Sequence, residues 1–192
     1  MKNQEFISQL EFRGKDNPNY KKLHYTLFMD FLCPYCGKFH AAYGRILKDY
    51  LDNGYIDLTI IPLAWIDVFS NGYHYSIRAA QAAHIIKQYQ PEIAWDFISK
   101  ILSKGVQPKE TDNYDIKQGS NDTLAYWAKT LGAKKSLIDK IANIKADNEF
   151  GQKMEAEVEV LRNSQLIPGT PTLLINGKAW DYEGDLPRKK NL

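Results

Sequence analysis

Apolar and polar positions along the 192-residue chain fall into three regimes. From Lys22 to Leu32 the chain reads Lys-Leu-His-Tyr-Thr-Leu-Phe-Met-Asp-Phe-Leu, nearly continuous in apolar character, which predicts a strand buried on both faces. Pro34 then suits a first helical position. Phe39, Tyr43, Ile46, Leu47 and Tyr50 recur at helical spacing until Asn53-Gly54 stops the pattern. Ile56 to Pro62 reads as a second strand. Strand, helix and strand at this spacing predict a right-handed crossover between parallel strands. Residues 1–21 are polar, with a turn signal at Asn17-Pro18-Asn19, and predict no regular element.

The middle of the chain has helical periodicity. Residues 74–89 hold Ala79, Ala80, Ala82 and Ala83, and Pro91 opens a helix with Ala94, Phe97, Ile98, Ile101 and Leu102 on one face. Residues 104–120 read as a polar loop. Ser120, Asn121 and Asp122 are candidate caps for a helix carrying Leu124, Trp127, Ala128 and Leu131, ended by Gly132. From Lys134 to about Gln165 the pattern predicts one long or two broken helices. Leu137, Ile138, Ile141, Ile144, Phe150, Met154, Val158 and Leu161 face inward, and Gly151 is the expected break. The last regime returns to strand: Thr172 to Ile175, then Asn176-Gly177 as a two-residue hairpin turn, then Lys178-Ala179-Trp180.

Composition changes this picture little. Hydrophobic content of 44%, charged content of 25% and a net charge of +2 are those of an ordinary globular protein, with nothing that demands nucleic acid or an anionic membrane. No run is long enough to cross a bilayer as a helix. The first thirty residues lack an apolar signal segment, so either the protein is cytosolic or this sequence begins after a removed leader.

The chain has two cysteines, in Cys33-Pro34-Tyr35-Cys36. A disulfide-stapled scaffold would need more of them, spread along the chain. At the start of a helix after a buried strand, the first thiol meets free backbone N–H groups and the positive end of the helix dipole, which favour a thiolate. The second thiol lies one turn in, within reach for a disulfide. Cys33 is therefore the candidate attacking thiol and Cys36 the resolving one. A structural zinc site would need two further ligands from His24, His40, His74 and His84, none of which forms a paired motif. Two inert core cysteines are the other plain alternative.

The stretch Phe31-Leu32-Cys33-Pro34-Tyr35-Cys36-Gly37-Lys38-Phe39-His40 resembles the active-site stretch of DsbA-like proteins, and Gly169-Thr170-Pro171-Thr172 resembles their cis-proline loop. The resemblance covers roughly residues 20–182, with the helical block lying where that family carries an inserted helical domain. It implies an α/β thioredoxin-like fold, with residues 20–65 plus 166–192 as the thioredoxin-like domain and 66–165 as the insertion. It implies thiol–disulfide exchange on protein or peptide thiols and disulfides, possible redox partner proteins, and no metal or organic cofactor. Cys33 and Cys36 become the catalytic pair, and Pro34, Tyr35, Thr170 and Pro171 the substrate-binding residues. The Thr170 N–H and C=O would pair with an extended peptide.

Two features depart from the family pattern. Leu27 stands where many relatives carry a buried acid, six residues before the first cysteine. Asp30 and His40 are substitutes by residue type for a proton relay; the plain alternatives are a strand-end residue bonding local backbone and a partly exposed helix histidine. The stretch after Tyr182 is also too short for a full closing helix, leaving a single turn or a truncation. Trp65 and Tyr35 are candidates for an apolar landing site, with core packing as the simpler role for Trp65. Rival functions on the same fold are a kappa-type glutathione transferase or related isomerase, against which Cys36 argues, and a non-catalytic peptide-binding protein.

Overall fold

The computed structural model describes residues 5–67, 74–103, 120–182 and 184–188. Its centre is a five-stranded sheet in the order β1-β3-β2-β4-β5. Strands β2 (Leu23–Met29) and β3 (Ile56–Pro62) pair in parallel, joined by α1 (Pro34–Asp52), as the crossover pattern predicts. On the other side of β2, strand β4 (Thr172–Ile175) pairs antiparallel, setting Leu27 opposite Leu173. β5 (Lys178–Ala179) folds back on β4 through Asn176-Gly177, whose φ angles of 48° and 80° are those of the two-residue turn the sequence signals. Tyr25, Phe28, Met29, Leu58, Ile60 and Ile61 are buried, so both faces of the central strands are covered.

The fifth strand, β1 (Leu10–Phe12), lies in the segment expected to be irregular. It pairs antiparallel with β3, with Leu10 opposite Ile60. Three residues are too short to show a periodic signal, and the contacts that hold them are distant in sequence. Leu10 is fully buried, the Phe12 ring stands edge-on to Trp95 at 5.6 Å, and the Ser8 hydroxyl donates to the Pro62 carbonyl at 2.7 Å.

Helices α2 (Tyr75–Tyr89), α3 (Ala94–Ile101), α4 (Asn121–Thr130), α5 (Lys135–Ala142) and α6 (Glu149–Ser164) fill the chain between β3 and β4. A short 3-10 turn at Pro91–Ile93 precedes α3, and Ser120 caps α4 by accepting from the Thr123 N–H. The polar stretch 104–119 lies outside the described residues. In α1 the expected inward face holds, except that Ile46 is 37% exposed.

The break expected at Gly151 lies instead at residues 143–148, and Gly151 sits in the first turn of α6 under the Asn148 cap. Glycine serves close packing there. A Cβ at this position would fall 1.7 Å from the Ala146 carbonyl oxygen. Helix propensity alone would make Gly151→Ala stabilising by about 1 kcal/mol. The clash reverses the sign, and we expect the variant to lose on the order of 1–3 kcal/mol, read as a fall in the urea midpoint.

At the other end of the chain, residues 184–188 form no helix. The Tyr50 hydroxyl donates to the Leu186 carbonyl at 2.9 Å, the Tyr25 hydroxyl donates to the Pro187 carbonyl, and Leu186 is buried.

Candidate active site

The site forms where β2 ends and α1 begins. Asp30 closes the strand and organises the loop. Its carbonyl accepts the Cys33 N–H at 3.0 Å, its Oδ1 accepts the Leu32 N–H at 2.8 Å, and its own N–H points at the Cys36 sulfur at 3.4 Å. Cys33 is thereby placed as the N-cap of α1, with extended backbone (φ −71°, ψ 116°) and Pro34 in the first helical turn. From the far side, the Thr170–Pro171 peptide bond is cis, and the Thr170 carbonyl lies 3.2 Å from the Cys33 sulfur. The cysteine motif and the loop before β4 are 137 residues apart in sequence and in contact in space.

Both cysteines are buried, with Cys33 3% and Cys36 1% exposed. Exposure therefore separates the two little; the larger asymmetry is in acidity. The Cys33 thiol is lowered to about 6, first by the hydrogen bond from the Cys36 thiol, then by Thr170 and the N–H groups of Cys36 and Tyr35, all against the effect of burial. Cys36 is pushed well above the ordinary thiol range, first by burial and then by the neighbouring Cys33. At neutral pH the pair is one thiolate and one thiol.

Asp30 is fully buried. Besides the loop contacts, its Oδ1 accepts the Ser76 hydroxyl and its Oδ2 accepts the Ile66 N–H at 2.8 Å. Ser76 and Ile77 in turn donate their backbone N–H groups to the Asp67 carboxylate at 2.8 and 3.0 Å. Burial, followed by the charge of Asp67, raises the Asp30 carboxyl to about 7, while its hydrogen bonds with Ser76, Ile66 and Leu32 oppose the rise. Asp67 and Ser76 carry no motif. They reach the site because the start of α2 folds over the end of β2, which no local sequence signal reports.

His40 lies one turn beyond Cys36 on the same face of α1. Its Nε2 is 2.9 Å from the Ser99 hydroxyl, and Ser99 donates to the Trp95 carbonyl, so the imidazole donates through Nε2–H. Burial lowers its pKa to about 4, which keeps it neutral at pH 7. Leu27 is buried and apolar; together with Cys36, His40, Trp95 and Pro171 it lines a cavity of about 10 Å³, the size of one water molecule.

The remaining candidates divide. Tyr35 is 60% exposed, with the Lys38 ammonium 5.0 Å above its ring, while Pro34, Thr170 and Pro171 are half-buried beside Cys33. Trp65 packs against the core beneath Arg162, whose guanidinium also donates to the Trp65 carbonyl at 3.2 Å. Among the described residues no group of three or more His, Cys, Asp or Glu side chains could hold a metal ion, and no helix is long and apolar enough to cross a membrane.

A cysteine pair at the head of a crossover helix, faced by a cis-proline loop on the adjacent antiparallel strand, defines a thioredoxin-like fold, here with helices inserted between β3 and β4. The chain belongs to the thioredoxin family: the family model described as Thioredoxin matches residues 21–186. Among solved structures it is similar to oxidised DsbA of Mycobacterium tuberculosis, at 24% identity and a TM-score of 0.74, covering 91% of this chain and 86% of that one. It is similar also to MdbA, a thiol–disulfide oxidoreductase from Corynebacterium diphtheriae (24% identity, TM-score 0.71, 91% and 85% covered). A third such structure is oxidised BdbD from Bacillus subtilis (24%, 0.64, 91% and 84%). At these identities the likeness speaks for the fold. No curated protein matches the chain.

Proposed function

We propose that the protein is a thiol–disulfide oxidoreductase acting on protein or peptide thiols, with Cys33 as the exchanging sulfur and Cys36 as the resolving one. The observation that carries this reading is the placement of the Cys33 sulfur at the head of α1, 3.2 Å from the Thr170 carbonyl of the facing loop. In the oxidising direction a substrate thiolate attacks Cys33 of the protein disulfide and Cys36 leaves as a thiolate, which takes up a proton. A second substrate thiolate then attacks the substrate sulfur of the mixed disulfide, and Cys33 leaves as a stabilised thiolate. The substrate gains the disulfide that the protein loses.

Of the two candidates for moving the Cys36 proton, Asp30 is the better matched. Its backbone N–H already lies 3.4 Å from the Cys36 sulfur and its carboxyl is raised to about 7, whereas the imidazole is held near 4 and bonded to Ser99. Asp30 thus takes the part that the acid at position 27 plays in relatives. On this reading residues 20–65 and 166–192 form the redox unit, and 66–165 form an inserted unit that contributes Asp67, Ser76 and Ser99 to its support.

Equilibration of the Cys33–Cys36 couple with glutathione tests the proposal. Because the reduced form holds a stabilised thiolate, we expect a moderately oxidising couple, between about −120 and −200 mV. A couple as reducing as thioredoxin, at about −270 mV, or no exchange at all, would overturn it.

A further inference from the structure

Asp30 is 0% exposed, yet a group that exchanges a proton with Cys36 must itself be refilled from solvent. The contacts of its carboxyl narrow how. Leu32 and Ile66 present backbone N–H groups, which donate a hydrogen bond and pass no proton on. The Ser76 hydroxyl, bonded to Oδ1, can donate and accept at once. Ser76 also lies against a second buried carboxylate. Its backbone N–H donates to Asp67 Oδ1 at 2.8 Å, and its hydroxyl is a hydrogen-bond neighbour of the same group. Asp67 in turn lines an open pocket of about 360 Å³ with His74, Glu155, Glu159 and Arg162. That pocket shares no described residue with the cysteine motif or the cis-proline loop. The Tyr75 phenol is buried nearby and feels both carboxylates, but its hydroxyl bonds to no described residue and forms no link.

We propose that Ser76 and Asp67 form the route by which protons enter and leave Asp30, with its mouth in the pocket beside α6. For each proton that Asp30 gives up, the Ser76 hydroxyl passes one to Asp30 and Asp67 passes one to Ser76. Solvent in the pocket refills Asp67, and no electron moves. The reverse order carries a proton out. Burial raises the Asp67 carboxyl, against the bonds from Ser76 and Ile77 and the charge of His74, so its protonated form is nearer than that of a surface carboxyl. Arg78, Glu155, Glu159 and Arg162 are the other charged groups around it. Such a route has a use, because a substrate joined to Cys33 covers that sulfur and leaves a mouth elsewhere open. The inference rests on the reading of Asp30 as the group that moves the Cys36 proton.

Ser76→Ala removes the hydroxyl and keeps both backbone bonds to Asp67, while Asp67→Asn keeps an acceptor and cannot ionise. The readout is Asp30 itself in the oxidised protein, where neither thiol titrates. Its infrared carboxyl band, identified by its loss in Asp30→Asn, is followed after a light-released proton. Both variants should slow the rise of the band by at least about tenfold, and the double variant should be no slower than the slower single one. Residues that only tuned Asp30 would act in opposite directions: Ser76→Ala would raise its midpoint and Asp67→Asn would lower it. Opposite midpoint shifts with rates within about threefold of wild type therefore overturn the route, and so does no change at all. Either variant decides alone if the other does not fold. The lifetime of the Cys33 mixed disulfide with glutathione, read in the same proteins, tests the underlying reading. A lifetime lengthened in step with the slowed band supports both. A slowed band with an unchanged lifetime keeps the route and removes Asp30 as the carrier of the Cys36 proton.

Discussion

Replacing Cys36 with alanine is expected to slow turnover by at least about 100-fold and to leave Cys33 trapped as a mixed disulfide. The variant loses two things at once. It loses the sulfur that releases a stalled substrate. It also loses the hydrogen bond that contributes most to lowering the Cys33 thiol to about 6. Thr170 and the α1 N–H groups remain against the effect of burial, so the midpoint of Cys33 alkylation should move upward. Each unit of that movement is a tenfold loss of thiolate at lower pH. Mass spectrometry of the trapped adduct and the pH profile of iodoacetamide labelling read the two effects separately. Rapid turnover by the variant would remove Cys36 from the mechanism, and an unchanged midpoint would remove it as the partner that stabilises the Cys33 thiolate.

The second large effect is a dependence of stability on pH that differs between redox states. The folded-state pKa of Cys33 is depressed, so its contribution is fully present above the unfolded thiol value near 9 and is lost as pH falls through about 6. Only the reduced protein has this group to titrate. Asp30 acts in the opposite sense. Its folded-state pKa is raised from 3.8 to about 7, so a cost of burying its charge develops as pH rises through that interval. It is present in both redox states and largely cancels in their difference. The stability of the reduced form relative to the oxidised form should therefore fall on going from pH 8.5 to pH 5, by at most about 1.4 kcal/mol per pH unit inside the window. Urea unfolding of both forms across this range measures it. A difference independent of pH would mean that Cys33 is not selectively ionised in the fold.

Much of the architecture was legible because it is local. The crossover rests on an apolar run, a proline at the head of α1 and an Asn-Gly stop. The last hairpin rests on Asn176-Gly177, which favours left-handed backbone at both turn positions. What failed had non-local causes. β1 is held by β3 and by Trp95, Gly151 answers to the carbonyl of Ala146, and Ile46 faces out because α1 buries a narrower stripe than its apolar residues suggest.

For the site the same division holds. The order of residues alone placed Cys33 at a helix N-terminus and Cys36 one turn inside, because three-residue spacing and the helix dipole act within a single element. Only the tertiary structure decided which groups surround them. It brought Thr170 against Cys33, packed Ser76 and Asp67 around Asp30, left His40 neutral against Ser99, and turned the Tyr182 hydroxyl onto Pro171. Those contacts set acidity and access through burial and short-range hydrogen bonds. Both depend on which distant segments meet, and sequence spacing does not record that.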